Sequence, residues 1–454
     1  MVFSSILFIF RFLPLAFLIY YIAPSRFKNL VILAISLIFY SWGEPKYLIL
    51  IIVSILVDYS VSRGIERYKG NIFIKRSLLG ISVIFNIGML FFFKYINFFI
   101  ENINLLLGTN LYFIELTLPL GISFYTFQTL SYTLDVYKNK VLAERNIINF
   151  GAYVCLFPQL IAGPIVKYSD ISKEIKKRTL NKDMIEEGIK EFIIGLGKKV
   201  LIANNIGMLW NEICSIGFKK VSTPLLWLGI FAFSFQIYFD FSGYSSMSIG
   251  LGKMLGFVFP ENFNFPYISR SMTEFFRRWH ITLGSWFREY VYIPLGGNRG
   301  SKKRMFLNLF IVWFLTGFWH GAEYNFILWG LYFFVLIAIE KVFLLKYLNK
   351  YKVLSHIYAI LSIVFGWALF VFIDLRNLKY LFAFNFGWDV FYYLRNYFLI
   401  FIIAIISSTK LIENFYERVK KNKLVECVLF IGIFIISISY LVDSTYNPFL
   451  YFRF

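Results

Sequence analysis

Cysteine is nearly missing from this chain, with three in 454 residues, and Cys155, Cys214 and Cys427 lie far apart. With no Cys-x-x-Cys pair and no histidine at ligand spacing, neither a disulfide framework nor a zinc site is encoded. Histidine is equally scarce, at three. Charge is thin as well: only 16% of residues are charged, and the 26 acidic ones are outnumbered by 46 basic ones. The chain has no His-Glu-x-x-His, no glycine-rich phosphate loop ending in Lys-Ser/Thr and no Gly-x-Ser-x-Gly, so the common zinc-protease, nucleotide-hydrolase and serine-hydrolase signatures are absent.

What is present is apolar. Hydrophobic residues make up 59% and aromatics 21% of the sequence, in repeated runs of about 20 residues, the length that spans a bilayer. The expected fold class is an all-α polytopic membrane protein with no soluble domain. The formal charge of +20 falls in short loops between apolar runs, the pattern of cytoplasmic loops and anionic headgroups, so membrane lipids are the expected contact and nucleic acid is not. The first run, Val2 to Ala23, carries Arg11, lacks a basic leader and shows no small-residue cleavage site, so it reads as a retained span.

Runs near 3–23, 29–42 and 47–61 precede a basic loop holding Arg63, Arg67, Lys69, Lys75 and Arg76, which places the amino terminus outside. Spans follow near 77–100 and 118–136. The run 147–166 has basic residues on both flanks and is broken by Pro158, Gly163 and Pro164. It is expected to be a re-entrant hairpin, tolerated only where protein or a water-filled cavity satisfies its backbone, with two distorted ordinary spans as the alternative. Further runs lie near 188–212, 223–241, 305–319, 324–345, 354–373, 391–408 and 424–442, giving ten to twelve spans. The glycine-rich piece Gly243 to Val258 is too short and broken to assign.

Between Gln236 and Gly330 the sequence turns to chemistry. Residues 273–290 are expected to form one amphipathic helix at the membrane surface, with Phe275, Trp279, Leu283, Trp286 and Tyr290 on one face and Arg277, His280, Gly284 and Arg288 on another. Arg277, Arg278, Arg288, Arg299, Lys302, Lys303 and Arg304 surround a flexible turn at Pro294 to Gly300 that includes Asn298. That charge suits a phosphate-rich donor or, equally, lipid headgroups. Asp240, at the end of an apolar run, needs a partner at such depth, and Arg277 or Arg278 is the expected one.

His320 is the candidate base. An ionisable side chain within an apolar stretch is a functional hypothesis by default, and imidazole can take and return a proton near neutral pH. Gly317 and Gly321 would let backbone or substrate approach closely, and Phe318 and Trp319 supply an apolar wall. His356 opens a later span and reads as interfacial.

Three segments, Arg277-Arg278-Trp279-His280-Ile281-Thr282-Leu283, Tyr292-Ile293-Pro294-Leu295-Gly296-Gly297-Asn298-Arg299 and Leu315-Thr316-Gly317-Phe318-Trp319-His320-Gly321-Ala322, resemble the signature segments of the membrane-bound O-acyltransferase family. The likeness is greatest to its alginate O-acetylation type and runs from Met1 to the ending Asn447 to Phe454. The resemblance implies a single domain over 1–454 with a catalytic core about 118–335. It implies a ring of helices, with re-entrant and interfacial pieces, around a tunnel from cytosolic donor to extracytoplasmic acceptor. It also implies His320 and His280 as functional histidines and a tunnel or donor site near Asp240, Arg277, Arg278, Trp279, Trp286, Trp319, Asn298 and Arg299. No bound cofactor or metal is expected. The implied donor is acetyl-CoA or an acyl carrier protein, and the implied partners are an SGNH-like acetyltransferase outside the cell membrane and a polysaccharide acceptor. Ser246, where relatives often have Asp, and Phe276, where Trp is commoner, depart from the pattern. Two other readings stay open: D-alanyl transfer toward teichoic acid, and a transporter of acyl donors with no bond chemistry.

Overall fold

A computed structural model describes residues 2–443 and 447, and among these the chain is helical, with one isolated β-bridge in place of any sheet. Apart from Asn447, the closing motif Asn447 to Phe454 lies outside the described residues. Among the described residues eight helices are long and apolar enough to cross a membrane, which is fewer than the ten to twelve spans expected from the runs in the sequence. Two of those runs form helices of only 16 residues, Lys28–Gly43 and Ile122–Tyr137. At 1.5 Å per residue they reach about 24 Å, short of the roughly 30 Å hydrocarbon layer. A third, Lys302–His320, is long enough but opens on Lys302, Lys303 and Arg304.

The chain divides into two compact units, residues 1–192 with 247–260, and residues 193–246 with 261–454. The first contains α1 (Phe8–Ile22), α2 (Lys28–Gly43), α3 (Leu48–Arg67), α4 (Ile72–Leu107), α5 (Ile122–Tyr137), α6 (Ile147–Cys155), α7 (Phe157–Leu160) and α8 (Tyr168–Lys176). A polar cluster ties α3, α4 and α5. The Asp58 carboxylate accepts from Ser82 Oγ (2.5 Å), Asn86 Nδ2 (2.9 Å) and Thr133 Oγ1 (3.3 Å), while Thr129 donates to Asn86 Oδ1 (2.9 Å). All five side chains are buried. Among apolar helices such groups must satisfy one another, because no water is there to do it.

The proline-broken run 147–166 does not form one crossing helix. It splits into α6 of nine residues and α7 of four, with Leu156 non-helical between them (ψ 106°) and Pro158 in the first turn of α7. Residues 150–166 are all buried. The backbone groups freed by the break find protein partners: Phe157 N donates to Ser36 Oγ (3.0 Å), and Gln159 Nε2 donates to the Tyr153 carbonyl (2.7 Å).

Next come α9 (Lys182–Ile216) and α10 (Thr223–Met254). The glycine-rich stretch that looked broken in sequence forms, from Gly243 to Met254, the end of α10, a single helix of 32 residues. Its glycines pack rather than bend. A Cβ on Gly243 would stand 2.8 Å from the Gly195 carbonyl oxygen, so glycine is what lets these two helices approach this closely.

The second unit continues with α11 (Met272–Arg278), α12 (Ile281–Phe287), α13 (Lys302–His320), α14 (Tyr324–Lys350), α15 (Lys352–Val371), α16 (Asp389–Ser407), α17 (Leu411–Val419) and α18 (Lys423–Asp443). Its core is aromatic: Phe275, Trp279, Trp329, Phe333, Trp367 and Phe370 are all buried in one cluster. His356 is half-buried near the start of α15.

Candidate functional site

The segment expected to be one surface helix is two short ones, broken at Trp279 and His280. The second half of the expected apolar face still packs, with Trp286 buried against Tyr290 (ring centroids 5.3 Å). His280 sits at φ +45°, in the left-handed region, and precedes the first turn of α12. Few L-residues take that conformation, and histidine is among those that do so more readily. A short ladder holds the break. Phe263 and Trp279 form an antiparallel bridge, Asn264 N donates to the Arg278 carbonyl (2.9 Å), and Ile281 N donates to the Asn262 carbonyl (3.0 Å).

The start of α11 is fixed as firmly. Ser271 caps it by accepting from Glu274 N (3.0 Å). The buried Glu340 carboxylate, projecting from α14, accepts from Met272 N (2.5 Å), Thr273 N (2.9 Å), Thr273 Oγ1 (2.6 Å) and the Tyr358 hydroxyl (3.1 Å). An anion on the free N–H groups of a helix start satisfies donors that have no intrahelical acceptor.

His320 is placed by a crossing of two glycines. A Cβ on Gly317 would overlap the Phe326 carbonyl oxygen, and one on Gly330 would overlap the Trp313 carbonyl oxygen, so α13 and α14 touch backbone to backbone one turn before His320. Gly321 faces the Phe326 ring. The close approach foreseen at these glycines is thus made by protein. His320 ends α13 among three rings, Trp319, Trp329 and Phe370, with centroids at 5.0, 5.0 and 5.3 Å.

A cavity of about 670 Å³ reaches both histidines. Phe276, Trp279, Trp313 and Trp329 contribute apolar wall, Arg277, Arg288 and Lys341 contribute positive charge, and Thr273, Thr316, Tyr292 and Asn298 contribute polar groups. The two imidazoles are electrostatic neighbours. Burial first, and His320 second, push the pKa of His280 well below the ordinary imidazole value. The Pro294–Gly300 turn beside the cavity is pinned rather than loose. Asn308 Nδ2 donates to the Gly297 carbonyl (3.1 Å), Arg304 Nε to the Leu295 carbonyl (3.2 Å), and the Tyr292 hydroxyl to Asn298 Oδ1 (2.5 Å).

Of the residues singled out from sequence, His280, His320, Arg277, Trp279 and Asn298 line this cavity, and Trp319 stands 6.1 Å from the His280 ring. Arg278, Trp286, Arg299 and Asp240 are not part of its lining. The expected partnership of Asp240 with Arg277 or Arg278 is overturned. Asp240 pairs with Lys199 Nζ (2.7 Å), both side chains buried, while Arg278 bonds Glu274 (3.0 Å) and the Asn264 carbonyl (3.1 Å). Lys199 sits in a widened π turn of α9, Lys198–Asn204, that a helical reading of the sequence does not foresee. Ser246 accepts from Lys198 Nζ (3.1 Å), and Phe276 packs edge-on to Trp313 (4.4 Å).

Asn262, Glu340 and Lys341 were missed. For Glu340 the signal existed: it is an acid inside an apolar run, judged by the same rule that picked out His320. Asn262 carried none, since an asparagine between prolines reads as a turn. Among the described residues no cluster of three or more His, Cys, Asp or Glu could hold a metal ion.

Comparison with known proteins agrees with the motifs. The sequence model of the membrane-bound O-acyltransferase family matches residues 122–382. The chain is 40% identical to "Probable alginate O-acetylase AlgI" of Azotobacter vinelandii, over 82% of this chain and 75% of that protein. It is 37% identical to the peptidoglycan O-acetyltransferase of Helicobacter pylori, over 76% and 71%. Teichoic acid D-alanyltransferase of Bacillus subtilis is more distant, at 30% over 51% and 61%.

Proposed function

The chain belongs to the membrane-bound O-acyltransferase family, and from that premise we propose that it moves an acetyl group from a cytosolic thioester to a hydroxyl of an extracytoplasmic polysaccharide. The protein is a multi-pass membrane O-acyltransferase. The donor in this proposal is acetyl-CoA or an acyl carrier protein. The acceptor takes the group directly or through an SGNH-like acetyltransferase outside, and the membrane is the cell membrane. The greater identity to O-acetylating relatives than to the D-alanyltransferase favours acetyl as the cargo.

The observation that carries the reading is the shared cavity, with two imidazoles at its wall and three cationic side chains around it. In the proposed step a neutral His320 accepts the proton of the incoming hydroxyl. The oxygen then attacks the thioester carbonyl, the C–S bond breaks, and the imidazolium returns its proton to the departing thiolate. General base catalysis of this kind contributes about 10²- to 10⁴-fold. Aromatic walls keep water from competing for the thioester. Arg277, Arg288 and Lys341 suit the phosphates of a pantetheine-bearing donor.

The test is mass spectrometry of the cell-surface polymer from cells whose only copy of the protein is wild type or His320→Ala, at matched membrane levels. Acetyl ester present with the first and absent with the second is the expected result. Persistence of the ester in the mutant defeats the assignment, and a D-alanyl ester would replace acetyl with the other cargo.

A further inference from the structure

The environment of His280 decides which of its nitrogens carries the proton. Asn262 is buried, and its Oδ1 faces three groups: Thr282 N (3.2 Å), Thr282 Oγ1 (2.8 Å) and His280 Nδ1 (3.1 Å). A backbone N–H can only donate, so the Asn262 atom facing Thr282 N must be the oxygen and not the amide nitrogen. The Asn262 Nδ2 group is occupied separately, donating to Ser245 Oγ (3.1 Å). The amide therefore cannot flip without turning its own N–H groups against the Thr282 N–H and losing that bond. Since Oδ1 can only accept, His280 Nδ1 must carry the hydrogen, and in the neutral ring Nε2 is left as the acceptor.

We propose that Asn262 is a positioning residue that holds His280 in its Nδ1–H tautomer, so that its Nε2 acts as a hydrogen-bond acceptor in the acyl-transfer centre shared with His320. The backbone serves the same end. The Asn262 carbonyl accepts from Ile281 N, so one residue fixes both the left-handed bend at His280 and the state of its ring. Both rings line one cavity, and an acceptor next to the proposed base can orient a hydroxyl or the base's own N–H. An imidazole in the opposite tautomer would offer a donor there instead, and a wrongly set histidine tautomer costs a hydrolytic triad most of its rate. The charged and titratable groups that share the cavity with His280 are His320 on α13, Arg277 on α11, Arg288 and Tyr292 after α12 and Lys341 on α14. Burial first, and His320 second, oppose a second proton on the ring.

This inference rests on the acyl-transfer reading, and its first test does not need turnover. With only three histidines in the chain, nitrogen NMR of ¹⁵N-histidine-labelled protein resolves each ring, and the His280 signals are those lost in His280→Gln. At neutral pH the expected spectrum has Nδ1 protonated and Nε2 bare. The reverse tautomer, or an imidazolium, overturns the proposal whatever the protein catalyses.

The second test uses Asn262→Asp, which keeps the acceptor and adds a charge. The ring should keep its Nδ1 proton, and the pH at which it gains a second should rise by about one unit or more. The acid limb of kcat/KM should move the same way, with donor KM within about twofold of wild type. A limb and a titration that stay in place refute the role. Asn262→Ala should lower kcat by about 10²-fold, the scale of a proton-transfer contribution. A wild-type protein with the expected tautomer but no acyl transfer would sink the functional reading and leave the ring assignment standing.

Discussion

Two buried polar clusters, one in each unit, show what separates a structural network from a reactive centre. Around Asp58 the carboxylate meets Ser82, Asn86 and Thr133, each close enough to donate, and the whole cluster is packed between three helices. Around His320 three aromatic rings stand with centroids at 5.0, 5.0 and 5.3 Å, and the side chain borders a cavity of about 670 Å³. Both place ionisable groups among apolar helices. Only the second leaves room for another molecule beside them, so burial of a titratable residue by itself does not mark a site.

The comparison is broken most severely by exchanging the outcomes of two alanine variants. His320→Ala should reduce acyl transfer by about 10²-fold or more while the protein still inserts and melts like wild type. Asp58→Ala should do the reverse. It strands the donors of Ser82, Asn86 and Thr133 and lowers stability by roughly 1–3 kcal/mol, with near-normal activity per folded molecule. Melting curves and initial rates on the same detergent-purified samples check both at once.

A smaller loss is expected from Gly330→Ala. Its new Cβ meets the Trp313 carbonyl, the two helices must part, and His320 shifts with α13. Displacements of about 1 Å can cost up to about 10²-fold, so a tenfold or greater fall in kcat without loss of membrane protein is the expected result. Next is Glu340→Ala, which removes the acceptor from the first turn of α11. Transfer should weaken by about tenfold, consistent with a cap worth roughly 1–2 kcal/mol, measured as kcat at saturating donor.

The smallest effect is in pH. The pKa of His280 is lower in the folded protein than the roughly 6.5 of a free imidazole. The unfolded chain therefore binds the proton first. The stability linked to this ring is fully present above about pH 6.5 and is lost as pH falls below it. Melting temperatures from pH 7.5 down to 5.5 should decline more steeply for wild type than for His280→Gln.

Much of this was legible in the sequence because apolar runs and the histidines within them carry strong signals. The long spans, the break near Pro158 and the residues His280, His320, Arg277, Trp279 and Asn298 at one cavity all follow from run length, proline position and motif. What stayed hidden depends on contacts between distant segments. The glycines of α10 looked like breaks because helix propensity takes no account of a neighbouring backbone that needs the space. Asp240 was given the wrong partner because run length and motif do not say which cation packing will deliver, and it is Lys199 from α9. Residues 273–290 kept helical periodicity through a bend that only the pairing with residues 262–264 reveals.

The most direct trial of the central claim is a reconstituted assay with a labelled acetyl thioester inside vesicles and a polysaccharide acceptor outside, comparing wild type with His320→Ala. Label appearing on the outer polymer with wild type alone, at equal amounts of folded protein, is the result this account predicts. Equal labelling by both would contradict it, because His320 would then have no part in the transfer.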